Sequence, residues 1–114
     1  MVCRKDWIAK NSALVKEFLN SLLKAEEFVQ SNPAQAKTIV KNQLNFTDAY
    51  METVWKQNQF SLSLDQSLVT ALESEARWMI NSKLTDQTAV PDFLNYLYLE
   101  GLNSIKPESV SIIR

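Results

Sequence analysis

The sequence predicts an all-α protein of about five helices in a small bundle, with a short strand remnant at each end. Only one glycine occurs in 114 residues, whereas tight hairpins and phosphate-binding loops need glycine where φ is positive. Apolar residues recur three and four positions apart over long stretches, which is typical of one face of an α-helix. At this length we expect a single helical domain spanning residues 1–114.

The first third of the chain predicts a short helical turn followed by a long helix. Residues 2–4 are too few for more than a strand remnant or an extended lead-in, and residues 6–10 can form one turn. We expect Ser12 to cap the long helix, because a Ser side chain accepts from free backbone N–H groups at a helix start. The predicted core positions of that helix are Leu14, Val15, Phe18, Leu19, Leu22, Leu23, Ala25, Phe28 and Val29.

Two shorter helices follow. Asn32 and Pro33 end the long helix and begin the next, because Asn caps well and Pro has no amide hydrogen to leave unpaired at the first helical position. Thr47 is predicted to cap a third helix, which should fray near residues 57–59. Ser63 and Gln66 have the spacing of a capping box, and predict a fourth helix that runs to about Lys83.

The C-terminal part predicts a short apolar helix and a self-association surface. After a polar loop at residues 85–91, residues 92–99 are apolar on nearly every side, and Gly101 is expected to end that helix. One core cannot bury Tyr96 and Tyr98 together with their neighbours. We therefore predict an interface at these two tyrosines and a homodimer of the isolated chain. Residues 109–114 are expected to be extended.

Composition argues against several classes of function. Twelve Lys and Arg residues against thirteen Asp and Glu residues give a net charge of −1, which is not the basic surface of a nucleic-acid-binding protein. The absence of histidine removes the most common general base and metal ligand. We therefore expect no catalytic residue, no metal site, no cofactor and no nucleic-acid partner. No apolar run approaches the ~18 residues of a membrane helix, and the first residues lack a signal-peptide pattern.

The other residues that could react or bind a ligand have structural interpretations. Cys3 has no histidine to activate it and is expected to be a small buried side chain. Arg77 could bind an anion, but Glu73 stands four residues before it, so an intrahelical ion pair is the favoured interpretation. The paired carboxylates are expected to lie on solvated faces, and the tryptophans to pack between helices.

Several strings, in this order, resemble the C-terminal part of periplasmic substrate-binding proteins of ABC importers, of the nitrate/sulfonate/taurine/bicarbonate class. The resemblance covers about residues 2–114. The strings are DWIAKN at residues 6–11, LVK at 14–16, FL at 18–19, AEEF at 25–28, NPAQA at 32–36, FSLSLDQ at 60–66 and LESEARWM at 72–79.

The resemblance implies a role in a larger protein. Proteins of that class have two α/β lobes with the ligand in the cleft between them, and this chain resembles only the helices that return to cover the first lobe. It implies a periplasmic, non-enzymatic solute-binding segment for small anions, without a signal peptide of its own. Its partners would be the N-terminal lobes of the parent protein and the importer's membrane subunits. No residue matches a ligand-binding motif closely enough to be assigned, so the ligand-binding residues stay unknown.

Two other functions remain open. The chain could be an independent helical protein-interaction module that binds no small ligand. It could also be part of an enzyme, because the same superfamily includes a thiamine-pyrimidine synthase; that chemistry depends on histidine, so we rank it last. Whether the chain is a solute-binding segment or an interaction module, the isolated chain is not expected to bind nitrate, sulfonates, taurine or bicarbonate. A cleft ligand needs donors from both lobes.

Overall fold

The computed structural model describes residues 1–113, which form six α-helices and almost no strand. About 65% of the chain is helical, and four of the helices are seven residues or longer. The predicted all-α class is therefore confirmed. The helices are α1 (Lys5–Lys10), α2 (Ser12–Ser31), α3 (Pro33–Leu44), α4 (Asp48–Trp55), α5 (Gln66–Asn81) and α6 (Leu99–Asn103).

The chain divides into two compact units. The first comprises Met1–Leu62, and the second begins at Ser63. The first unit contains α1 to α4, and the second contains α5, α6 and two 3-10 turns, Phe93–Tyr96 and Pro107–Ser109. The expectation of one domain over the whole chain stays a prediction.

In the first unit, each helix packs against the next one along the chain. α2 contacts both α1 and α3, and α3 contacts α4. Val15 of α2, Ala36 of α3 and Met51 of α4 are the buried hydrophobic side chains of this unit, and Met51 is only 1% exposed. The long helix α2 is therefore the element on which the first unit is built.

The helix starts of the first unit agree in part with the sequence. Thr47 caps α4 as predicted, because its hydroxyl accepts from the Tyr50 amide at 3.2 Å. Pro33 is the first residue of α3 as predicted, although the Asn32 side chain makes no capping hydrogen bond. The prediction for Ser12 is wrong: Ser12 is the first helical residue of α2. Asn11 precedes it, and its side-chain amide donates to the carbonyl of Trp7 at 2.8 Å, which ties α1 to the start of α2.

The second unit is organised around α5. The predicted capping box is wrong, because Asp65 occupies the capping position and its carboxylate accepts from the Ser67 amide at 3.0 Å. Gln66 instead accepts from the backbone amide of Ile113 at 3.3 Å. α5 contacts the 3-10 turn Phe93–Tyr96, and α6 contacts the turn Pro107–Ser109.

Short non-helical segments lie near both ends of the described chain. Residues 2–4 lead into α1 without forming a strand. Near the other end, Val110 forms an isolated parallel bridge with Leu64, in which the Leu64 amide donates to Ser109 and the Ser111 amide donates to Leu64, both at 2.9 Å.

The predicted helix at residues 92–99 is wrong. The chain forms a four-residue 3-10 turn, becomes extended at Leu97 with φ −101° and ψ 123°, and then begins α6. Successive side chains of an extended segment point to opposite sides, so Leu97 and Leu99 are half-buried while Tyr98 is exposed. A continuous helix would have apolar residues on every side here, and the change to extended backbone at Leu97 avoids this. Gly101 does not end a helix, but lies buried inside α6.

Candidate interaction surface

The described residues include no candidate metal site. Within residues 1–113, no group of three or more His, Cys, Asp or Glu side chains is placed to hold a metal ion. Arg77 forms the predicted pair with Glu73, at 3.5 Å. The prediction for Cys3 is wrong: the thiol is exposed, as are the other residues before α1.

Tyr96 and Tyr98 lie on different elements. Tyr96 is the last residue of the 3-10 turn and is 70% exposed, whereas Tyr98 directly precedes α6 and is 39% exposed. The predicted short helix that would carry both tyrosines is therefore absent from this segment of the described chain. The predicted self-association through these two side chains stays a prediction.

Glu26 is buried in the first unit. It lies on the inward face of α2 and is only 8% exposed. One carboxylate oxygen accepts from the Leu62 amide at 2.7 Å, and the other accepts from the Gln30 side chain at 3.3 Å. A buried carboxylate is costly unless hydrogen bonds stabilise it. The Leu62 bond, across 36 residues of sequence, holds the end of the first unit against α2.

The stretch that Glu26 holds also contains an aromatic contact. Phe60 lies against Trp55 at the end of α4, with 4.5 Å between the ring centroids. Through Leu62 and Phe60, α2 and α4 are therefore both linked to residues 60–62.

Two exposed ion pairs join α3 to α4. Lys41 bonds to Asp48, and Lys37 bonds to Glu52. The hydrogen bond from Lys41, together with its charge, lowers the pKa of Asp48 below its ordinary 3.8. The hydrogen bond and charge of Lys37 likewise lower the pKa of Glu52 below 4.5. Because each carboxylate already has a cationic partner within the unit, these pairs link helices and offer no charge for a ligand.

The second face of α2 is the most distinctive surface of the first unit. Leu14, Phe18 and Phe28 are 52%, 46% and 36% exposed, respectively. Ser21 and Ala25 are also exposed and lie between them on the same side of the helix. We call these five residues the outward seam. They are spaced alternately four and three residues apart, which places them within about 80° of one another around the helix axis.

The outward seam carries no charge, but charged residues border it. Glu17 and Lys24 lie along one edge, and both are exposed. Neither forms an ion pair with another of the described residues 1–113. The other edge is formed by Leu22 and Val29, which are half-buried within the unit.

The predicted core of α2 included every residue of the outward seam except Ser21. The predicted apolar positions of α2 span about 220° of the helix circumference, whereas a helix that packs on one core typically has an apolar stripe of about 100°. In the sequence, only this unusually wide apolar arc indicates that α2 has a second apolar face. The role of Glu26 carried no such signal, because its partner is a backbone amide far away in sequence.

Comparison with family models, curated proteins and solved structures found no match to this chain. Among residues 1–113, no helix has the length and apolar character needed to span a membrane.

Replacing Glu26 tests whether it closes the first unit. We expect Glu26→Ala to lower the free energy of unfolding by about 1–3 kcal/mol, because it leaves the Leu62 amide without its acceptor. Glu26→Gln should cost less, since an amide oxygen still accepts this bond. Chemical denaturation followed by intrinsic tryptophan fluorescence measures the loss.

The matched control is Glu27→Ala, at the exposed neighbouring position on α2. It should change the free energy of unfolding by no more than about 0.5 kcal/mol. An equal loss for Glu26→Ala and Glu27→Ala would contradict the closing role of Glu26.

Proposed function

We propose that this chain is a helical protein-binding module, in which the outward seam of α2 is the binding surface. The proposal is carried by the exposure of Leu14, Phe18 and Phe28 on one side of a single helix. Apolar side chains exposed one by one are common on proteins, but a continuous row on one element is typical of an interaction surface.

The composition of the seam is suited to helix-on-surface packing. Ser21 and Ala25 have small side chains, so a partner can approach the α2 backbone closely between the larger residues. Fully burying a Leu or Phe side chain stabilises a complex by about 1.5–3 kcal/mol relative to leaving it exposed. Leu14 and Phe18 are about half exposed and Phe28 about a third, so together they offer the apolar area of a modest interface.

The charged border completes the pattern. Interfaces have an apolar centre and a polar rim that sets orientation and partner choice. Glu17 and Lys24 provide such a rim on the edge of the seam that faces away from the core of the first unit.

Site-specific photocrosslinking in the cells that produce this protein tests the proposal. A photoreactive phenylalanine analogue at Phe18 should form covalent adducts with protein, because that position lies in the middle of the seam. The same analogue at Lys16, which is exposed on the opposite side of α2, is the matched control. Denaturing electrophoresis and mass spectrometry identify the adducts.

Adducts at position 18 that exceed those at position 16, and that Leu14→Asp diminishes, are the expected result. Equal yields at the two positions would contradict a binding role for the seam.

We propose a narrower form of this function from the resemblance of the sequence strings. In it the chain is the C-terminal helical segment of a periplasmic solute-binding protein for nitrate-like or sulfonate-like anions, and its partner is the rest of that protein. The strings DWIAKN and NPAQA, which lie at the start of α1 and of α3, support it. A position-18 adduct with a two-lobed solute-binding protein supports this form, and adducts confined to unrelated proteins contradict it.

The isolated chain is expected not to bind nitrate, taurine, other sulfonates or bicarbonate. Its two arginines outside the C-terminal residue are already engaged: Arg4 bonds to Asp6 at 2.8 Å and Arg77 to Glu73 at 3.5 Å. Isothermal titration should therefore show no binding of micromolar affinity. Micromolar binding of any of these anions would show that the chain forms an anion site without a partner.

A further inference from the structure

We propose that the outward seam binds a second copy of this chain, with the two α2 helices antiparallel. In this arrangement Leu14 lies opposite Ala25 of the second copy, and Phe18 lies opposite Ser21. The inference rests on the proposed function, since it names the partner of the same surface. Two features of the seam select it: the order of large and small side chains, and the order of charges along the exposed edge.

Side-chain size favours this register. The alternating spacing of four and three residues lets two antiparallel helices interdigitate along the seam. The register that places Leu14 opposite Ala25 also places Phe18 opposite Ser21, so Leu14 and Phe18 each meet a small side chain. Phe28 lies beyond this overlap, because its counterpart is Asn11, which precedes α2. Two-fold symmetry repeats both contacts, and gives four layers from one surface. The seam is thus complementary in shape to itself.

The charged edge favours the same register. In antiparallel helices packed this way, residues on one edge of each seam meet the same edge of the partner helix. Here Glu17 of one copy meets Lys24 of the other, and symmetry produces the pair twice. Both side chains are exposed and form no ion pair with the other described residues of their own chain, so both are free to form these contacts.

The competing arrangements are less favourable. Sliding the antiparallel helices by one heptad places Lys24 against Lys24 of the second copy, where like charges repel. A parallel pair places Phe18 against Phe18 and leaves Glu17 beside Leu22. Neither arrangement pairs Glu17 with Lys24, and only the proposed one places both Leu14 and Phe18 against small side chains.

Sedimentation equilibrium of the full chain tests the proposal. The four layers are short and two contain serine, so we expect a dimer with a dissociation constant no weaker than about 0.5 mM. Glu17→Lys should weaken it about tenfold, because two attractive pairs become repulsive. Lys24→Glu should weaken it similarly. Combining both substitutions restores opposite charges across the seam, and should restore the affinity to within about twofold.

The matched controls carry the same charge changes on the opposite side of α2. Glu27→Lys and Lys16→Glu should leave the dissociation constant within about twofold of its original value. Circular dichroism verifies the helix content of every variant. If a charge reversal unfolds the chain, Glu17→Gln and Lys24→Gln replace it, and each should weaken the dimer by about threefold.

Several outcomes would overturn the proposal. These are a chain that stays monomeric at about 0.5 mM, a double charge reversal that does not recover affinity, and controls that weaken association as much as the seam variants. Dissociation by Tyr96→Asp with Tyr98→Asp, but not by Glu17→Lys, would overturn it in favour of the C-terminal surface. If the chain is monomeric yet position 18 crosslinks to another protein in cells, the dimer is wrong and the proposed function stands.

Discussion

The first unit depends on a single constraint: α2 has more apolar surface than its neighbours cover. α1 and α3 pack against this helix, and Val15 is buried on its inward side. Glu26 lies on that same side and fixes Leu62, so the end of the unit closes onto α2. Leu14 and Phe18 remain outside this packing and half exposed. The fold and the proposed function are therefore two consequences of one helix with two faces.

The position of a helix start depends on which of two nearby polar residues caps it, and the sequence favours neither clearly. The helical segments up to α5 were predictable, since their periodicity and Pro33 and Thr47 point to one solution, whereas the predicted helix at residues 92–99 was wrong. The starts of α2 and α5 were not predictable, because two polar residues compete for each cap. At α5, Asp65 is closer to the helix than Ser63, and its carboxylate forms the capping bond. A carboxylate is also the stronger acceptor at the positive end of a helix, which gives a physical reason for the outcome.

The outward seam and Glu26 illustrate two different limits of sequence analysis. Leu14 and Phe18 follow the same three-and-four spacing as the buried residues of α2, so periodicity alone cannot separate a core face from a binding face. Only the total width of the apolar arc distinguishes them. For Glu26, the sequence predicts an exposed carboxylate, because glutamate is rarely buried without a partner. Its partner is the amide of Leu62, whose position is set only by the tertiary fold.

The most direct test of this account compares the same substitution on the two faces of α2. Leu14→Ala and Leu22→Ala remove the same atoms from the same helix, but Leu14 is 52% exposed and Leu22 is half-buried within the unit. Chemical denaturation at low micromolar concentration measures both losses in the free energy of unfolding. We predict a loss of about 2 kcal/mol or more for Leu22→Ala and less than about 0.5 kcal/mol for Leu14→Ala. Equal losses would contradict the division of α2 into a folding face and a binding face.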